Sequence, residues 1–173
     1  MESVKKIIRD IPDFPKKGIV FKDITPLLAD ASAFTKTINT LKERFSEKKV
    51  DRVVGVEARG FIFASALAYA LETGTTMVRK PGKLPYSTFQ ETYSLEYGTD
   101  TIEIHRDAFQ SNERIVLIDD VLATGGTLAA TLNLIRNNFQ NIEIEEVAFI
   151  IELDFLNGRK KLRDIPVHSL IHY

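Results

Sequence analysis

The chain has 173 residues, with 23 Lys plus Arg against 24 Asp plus Glu and a net charge of −1, a balance that argues against bulk nucleic-acid binding. It contains no cysteine, which excludes a disulfide framework, a thiolate metal site and a cysteine nucleophile. Met1 to Ile8 has no long apolar region and no run of about 18 apolar residues follows, so the expectation is one soluble, cytoplasmic domain with no secretory signal and no membrane span.

Val4, Ile7, Ile8 and Ile11 fall at helical spacing, and Pro12 and Pro15 predict the end of that helix. Gly18 to Phe21 reads as a short extended piece and Thr25-Pro26 as a turn. Phe34, Ile38, Leu41 and Phe45 predict an amphipathic helix. Arg52 to Val56 reads as a strand, with Phe61, Ala64, Ala68 and Leu71 marking the helix after it and Thr75 to Arg79 the next strand. Residues 81–100 are polar, contain Pro81, Gly82, Pro85 and Gly98, and have no helical period. Within them Tyr93, Leu95 and Tyr97 alternate, which predicts a hairpin returning through Ile102 and Ile104. Ile115 to Ile118 is short and β-branched, as in a central strand buried on both faces. Leu128, Leu132 and Ile135 predict a further helix, Val147 to Ile151 a buried strand, Phe155 to Leu162 a short helix and Val167 to Ile171 a closing strand. This alternation predicts an α/β fold with a central, mainly parallel sheet flanked by helices.

Chemistry concentrates in three places. The first is Val116 to Thr127, where the strand is expected to end just before the paired carboxylates Asp119 and Asp120. Ala123 to Thr127 then has no bulky side chain, so its backbone N–H groups can close around an anion at the start of a helix. Carboxylates beside a phosphate cradle suit a ligand with hydroxyls and phosphate, such as a ribose phosphate with Mg²⁺. No Gly-Lys-Ser/Thr follows the glycines and no dinucleotide fingerprint is present. The second is Glu57-Ala58-Arg59-Gly60, another strand-to-helix turn, where Arg59 can offer a charge-assisted fork. The third is Arg79 to Pro85, in which Arg79, Lys80 and Lys83 are stiffened by Pro81 and Pro85; Lys80 is given no role. The loop 84–100 is long enough to act as a lid. His105, His168 and His172 have no acid at metal-ligand spacing and read as structural.

Val116 to Thr127, with its apolar run, two acids and Thr-Gly-Gly-Thr, resembles the phosphoribosyl-diphosphate (PRPP) motif of the type I phosphoribosyltransferases. The resemblance extends over essentially the whole chain, with the other motifs in the family's order. It implies the type I phosphoribosyltransferase-like fold, with an N-terminal base-covering segment (1–30) and a flexible hood loop (about 81–100). The implied reaction, that of the adenine-specific members, takes adenine and PRPP to AMP and pyrophosphate, with Mg²⁺ and an oxocarbenium-like transition state. Asp119 and Asp120 are then expected on the ribose hydroxyls, and Ala123, Thr124, Gly125, Gly126 and Thr127 on the 5′-phosphate. Glu57, Ala58 and Arg59 match the pyrophosphate loop, whose first peptide is often cis, and Arg79 and Lys83 are assigned to the same group, Arg79 across a dimer interface. Tyr93 to Gly98 resembles the hood of the adenine-specific members, which places Glu96 near the purine N7 and Tyr97 beside the ribose. In Ile19 to Ile24, backbone groups of Val20 and Lys22 would read the base while Phe21 stacks, and Leu153 would close the opposite face. Many members have Arg in place of Lys22, so planar stacking by that side chain is not expected here. The metal is expected to be held mainly by PRPP, pyrophosphate and water, with no direct protein ligand, and the implied assembly is a homodimer. Two alternatives are an oxopurine enzyme of the same fold and a PRPP-sensing regulator. Val20 to Lys22 and Glu96 speak against the first, and the single short helix before Gly18 and the net charge of −1 against the second.

Overall fold

The computed structural model describes residues 1–94 and 98–173; the expected hood residues Leu95, Glu96 and Tyr97 lie outside that set. In chain order, a single turn α1 (Glu2–Lys5) precedes β1 (Arg9–Pro12) and β2 (Val20–Asp23), which pair antiparallel. Then come α2 (Thr25–Ala29), α3 (Ala31–Phe45), β3 (Arg52–Val56), α4 (Gly60–Ala70) and β4 (Gly74–Val78). An antiparallel pair, β5 (Thr88–Ser94) and β6 (Thr99–His105), is followed by β7 (Arg114–Leu122), α5 (Gly126–Asn138) and β8 (Glu143–Glu152). Two 3₁₀ turns, Asp154–Leu156 and Gly158–Lys161, lead into β9 (Val167–His172).

The main sheet has the order β4-β3-β7-β8-β9, and every neighbouring pair in it is parallel. Its strands alternate between two cores, as a sheet covered on both faces requires. Val53, Val116, Ile118, Ala148 and Ile150 join Leu41, Phe45, Phe63 and Leu67 from α3 and α4. Val54, Ile115, Leu117, Val147 and Phe149 join Leu128, Leu132 and Ile135 from α5, together with Ile102 and Ile104 of β6. The α3 helix starts where the Asp30 carboxylate accepts the Ala33 N–H at 2.8 Å and carries Lys42 and Arg44 in its last turn, both favourable end effects. No helix among the described residues is long and apolar enough to cross a membrane.

Several expectations are corrected. The first helix is one turn only, because Ile11 sits in β1 opposite Phe21 and strand pairing overrides the short helical spacing. Thr25-Pro26 opens a helix instead of a turn: Pro tolerates the first helical positions, and the Asp23 carboxylate accepts both the Thr25 N–H (2.9 Å) and its hydroxyl (2.8 Å). The antiparallel pairing expected within residues 81–100, returning through Ile102 and Ile104, is present but starts earlier than its alternation signal, at Thr88, with Phe89 and Tyr93 packed toward α5. The strand before the acids does not stop at Ile118. It runs to Leu122, because β8 pairs with it throughout (Asp119↔Phe149, Leu122↔Glu152), whereas its pairing with β3 ends at Gly55↔Ile118. The expected helix over 155–162 is divided into two 3₁₀ turns by Asn157, whose φ is +53°.

One buried charge ties the α3 face to the sheet. Glu146 of β8 is fully buried and accepts Arg44 Nε and Lys48 Nζ, each at 2.7 Å. Burial alone would raise its carboxyl, but the Arg44 and Lys48 hydrogen bonds and charges hold it below the ordinary 4.5. Its contribution is therefore complete above about that value and is lost as pH falls through the lowered folded-state pKa. Glu146→Gln should cost roughly 3 kcal/mol at neutral pH, the low end for a broken buried pair because both cations can turn to water. Urea unfolding should also show a shallower acid loss in the variant than in the parent, and identical acid limbs would contradict this role.

Candidate active site

The connection β3-α4-β4 moves to one side of β3, and the chain then returns to place β7 on the other side. The loops leaving β3 and β7 at their carboxyl ends therefore diverge, and such a switch point in an open α/β sheet is where ligands bind. A cavity of about 420 Å³ opens there. Its lining brings together Val20, Phe21 and Lys22, Glu57, Ala58 and Arg59, Asp119 and Asp120, Ala123, Thr127 and Leu153, all of them expected site residues. The extension of β7 beyond β3 is what delivers the two acids to this crevice.

Asp120 is buried, and its Oδ2 lies 2.8 Å from Arg59 Nε as an ion pair, yet without the alignment of a hydrogen bond. Asp119 Oδ1 accepts the Asp120 N–H at 2.8 Å. Burial first, and the neighbouring Asp120 charge second, push Asp119 well above the ordinary carboxylate range. Burial also raises Asp120, against the opposing pull of Arg59. The pair therefore resists carrying two full charges until hydroxyl donors or cations reach it. The Arg59 guanidinium also lies over the Phe21 ring, 4.9 Å from its centroid, which joins the N-terminal segment to the β3 loop.

The Glu57-Ala58 peptide is cis. Burial would raise the Glu57 carboxyl, but the Lys80 N–H bond at 2.8 Å and Arg79 hold it below its ordinary value. Arg79 Nε donates to Glu57 Oε2 at 3.1 Å, and its Nη1 donates to the Lys83 carbonyl, so Arg79 is tied to the β3 loop of its own chain. Arg79 and Lys83 stand outside the lining of the main cavity, whereas Lys80, which had been given no role, is part of it and is paired with Asp100. The Lys22 ammonium is also committed, at 2.7 Å from Asp10 Oδ1 and 3.8 Å from the Tyr173 ring centroid. Only the backbone of Lys22 is thus left for a ligand.

Ala123 to Thr127 forms the turn into α5, and a smaller concavity of about 80 Å³ is lined by Thr124, Gly125, Gly126 and Thr127 with Asp119. Gly125 is the N-cap with φ +74°, and a Cβ there would fall 2.5 Å from the Gly158 carbonyl oxygen. The turn at Gly158 thus backs the loop from behind, and the first-turn N–H groups of α5 have no intrahelical acceptor. Tyr93 Oη lies 3.1 Å from both Thr127 Oγ1 and Asp100 Oδ2, which joins the β5–β6 hairpin to the loop. The sequence reading had given Tyr93 no such contact, although its alternation with Leu95 was the available signal. Ile19 and Val121, inside the named segments but without an assigned role, also line the cavity, as does Leu156, which only tertiary packing brings there. Glu96 and Tyr97 lie outside the described residues.

His172 has acid neighbours that spacing in the sequence does not show. Parallel pairing sets Glu152 beside His172, and the following turn brings Asp154 Oδ1 to 2.9 Å from His172 Nδ1. Among the described residues these three form the one grouping with metal-ligand spacing. The Glu152 oxygens are already engaged by the Arg159 fork at 2.7 Å each, so the cluster is a Glu152–Arg159 ion pair flanked by the His172–Asp154 hydrogen bond.

The phosphoribosyl transferase domain family matches residues 26–167. An adenine phosphoribosyltransferase of Syntrophotalea carbinolica is 58% identical over 173 residues, covering 100% of both chains. The crystal structure of an adenine phosphoribosyltransferase from Thermoanaerobacter pseudethanolicus superimposes with a TM-score of 0.95 at 49% identity, over 99% of each chain. That of the Saccharomyces cerevisiae enzyme, complexed with an imino-altritol bisphosphate and adenine, gives 0.90 at 40% identity, covering 98% of this chain and 97% of that one. With a cleft built from a glycine-rich turn, paired acids and the β2 segment, and with this likeness over its full length, the chain belongs to the adenine phosphoribosyltransferase family within the type I phosphoribosyltransferases.

Proposed function

We propose that this chain transfers the 5-phosphoribosyl group of PRPP to adenine, giving AMP and pyrophosphate, and that the cleft between β3 and β7 does it. The observation that carries the reading is the buried Asp120 Oδ2, which has no hydrogen bond and lies in the wall that also holds the anion-binding turn. A ribose hydroxyl donating to that oxygen would satisfy it. Asp119 and Asp120 would hold the 2′- and 3′-hydroxyls while Ala123 to Thr127 hold the 5′-phosphate. The acids' negative charge then stands beside the positive charge that develops on the sugar ring. Arg59, released from Asp120 as the hydroxyls bind, would turn its fork to the diphosphate, with Arg79 and Lys83 nearby. Val20, Phe21 and Leu153 would wall the base, and the Val20 and Lys22 backbone would read its edge. Glu96 is proposed to manage the proton at adenine N7, lowering the charge that builds on the ring. Most of the rate would come from positioning and from charges fixed in advance.

The hard oxygens of a diphosphate suit Mg²⁺ without a direct protein ligand. When bound, mainly through the substrate's own oxygens and water, the ion would neutralise the departing pyrophosphate.

A two-fold dimer is proposed through the free edge of β4. Met77 on that strand is 45% exposed, and the nearby Tyr69 and Tyr86 are 87% and 64% exposed, an apolar display for which a second copy of the chain is the natural cover. Arg79 follows directly after this strand, so pairing there would bring it to a subunit boundary. Sedimentation at micromolar concentration should give a dimer, and a monomer would refute the assembly.

The reaction is tested by pyrophosphate release from PRPP and Mg²⁺ with adenine, hypoxanthine or guanine. Turnover with adenine alone is expected. Turnover with the oxopurines instead would overturn the base pocket, and PRPP binding without any turnover would favour a sensor. Asp120→Asn should lower kcat roughly 100-fold without lowering the melting temperature, since it removes one of two mutually repelling buried charges. Glu96→Gln should lower kcat at least about tenfold at unchanged melting temperature. Parent-like kcat in either variant removes that residue from the chemistry.

A further inference from the structure

The turn Gly158–Lys161 does more than back the phosphate loop. Gly158 packs so tightly that a Cβ on it would collide with the Ala123 carbonyl oxygen. Arg159 is anchored through its fork to Glu152, and Leu162 is buried. Between these fixed points Lys161 is exposed, and its Nζ lies 3.8 Å from the position a Cβ on Gly126 would take. Thr124 Oγ1 and the Tyr93 ring each come within 3.9 Å of the same point. The space over Gly126 is thus bordered by an ammonium, a hydroxyl and a phenol ring, with the N-terminus of α5 beneath it.

Five cations around the cleft are already paired: Lys22 with Asp10, Arg59 with Asp120, Arg79 with Glu57, Lys80 with Asp100 and Arg159 with Glu152. Lys161 has no hydrogen bond or ion pair among the described residues. An unpaired ammonium over a glycine of an anion-binding turn is placed to make a charge-assisted hydrogen bond to an anion held there. Building on the phosphoribosyl reading, we propose that Lys161 is a binding residue for the 5′-phosphate. It supplies the one mobile positive charge to a site otherwise made of backbone N–H groups and hydroxyls. Its role is confined to the sugar-phosphate end, opposite the diphosphate handled by Arg59 and Arg79.

The test compares Lys161→Gln, Lys161→Arg and Lys160→Gln in the full-length chain. Lys160 neighbours Lys161 on the same turn and its substitution changes net charge equally, so it controls for bulk electrostatics. Titration calorimetry with ribose 5-phosphate and with pyrophosphate reads each end of the site without needing turnover, and steady-state kinetics give KM for PRPP. Lys161→Gln should weaken ribose 5-phosphate and raise the KM for PRPP about tenfold, with a much smaller change in kcat. Pyrophosphate affinity should hold, Lys161→Arg should recover most of the loss, and Lys160→Gln should match the parent. Undiminished ribose 5-phosphate binding in Lys161→Gln, an equal loss in Lys160→Gln, or a loss confined to pyrophosphate would each overturn the proposal, as would a parent that binds no ribose 5-phosphate. Failure of adenine transfer in a parent that still binds ribose 5-phosphate would instead count against the reaction, leaving the Lys161 comparison readable.

Discussion

Two carboxyl groups held side by side in the protein interior resist being charged together, and the cleft is organised around keeping them there. Asp119 and Asp120 sit at the end of a strand that one neighbour supports and the other does not. The ladder with β8 continues past both residues while the ladder with β3 has already ended. Backbone pairing of this kind does not depend on the charge of the side chains it carries, so it can hold acids that repel each other. Arg59 offsets part of that repulsion from across the switch point, and Phe21 steadies Arg59 in turn. The N-terminal segment, the β3 loop and the β7 acids thus form one electrostatic unit assembled from distant parts of the chain.

The remaining surroundings of the cleft obey the same economy of charge. Glu57, Asp100 and Glu152 each have a cationic partner, and each is held below its ordinary pKa despite burial. Among the described residues the Asp pair alone moves the other way. A cluster of carboxylates divided like this, most satisfied and one pair left wanting donors, points to where chemistry occurs more sharply than the size of any cavity. The cavity near the β4 edge illustrates the contrast, since it gathers Thr75, Met77 and Leu84 but has no comparable pair of unsatisfied acids.

Much of this was legible before any coordinates, for a physical reason. The arrangement of Asp119, Asp120 and Ala123 to Thr127 is local, a strand end followed by a small-residue turn, and local geometry is written in consecutive residues. The alternating strands and helices were legible for the same reason. What could not be read were meetings between remote segments. Tyr93 reaches Thr127, Asp154 meets His172, and Lys22 turns its ammonium to Asp10 and Tyr173. No periodicity encodes these pairs. The first helix failed for the opposite reason: its apolar spacing was real but too short to compete with strand pairing. The acids were placed past the strand instead of within it because an apolar run was taken to end where its hydrophobicity did, whereas hydrogen bonding to β8 carried it further.

The contact between Gly125 and Gly158 bears on how such sites can be moved or inherited. The stretch from Ala123 to Thr127 looks like a portable cassette, yet its curvature is moulded against a turn more than thirty residues later, where two backbones touch with no side chain between them. A graft of the familiar stretch alone would arrive without its mould. The heritable unit is therefore a pair of segments separated by α5 and β8, of which only the first has the look of a signature.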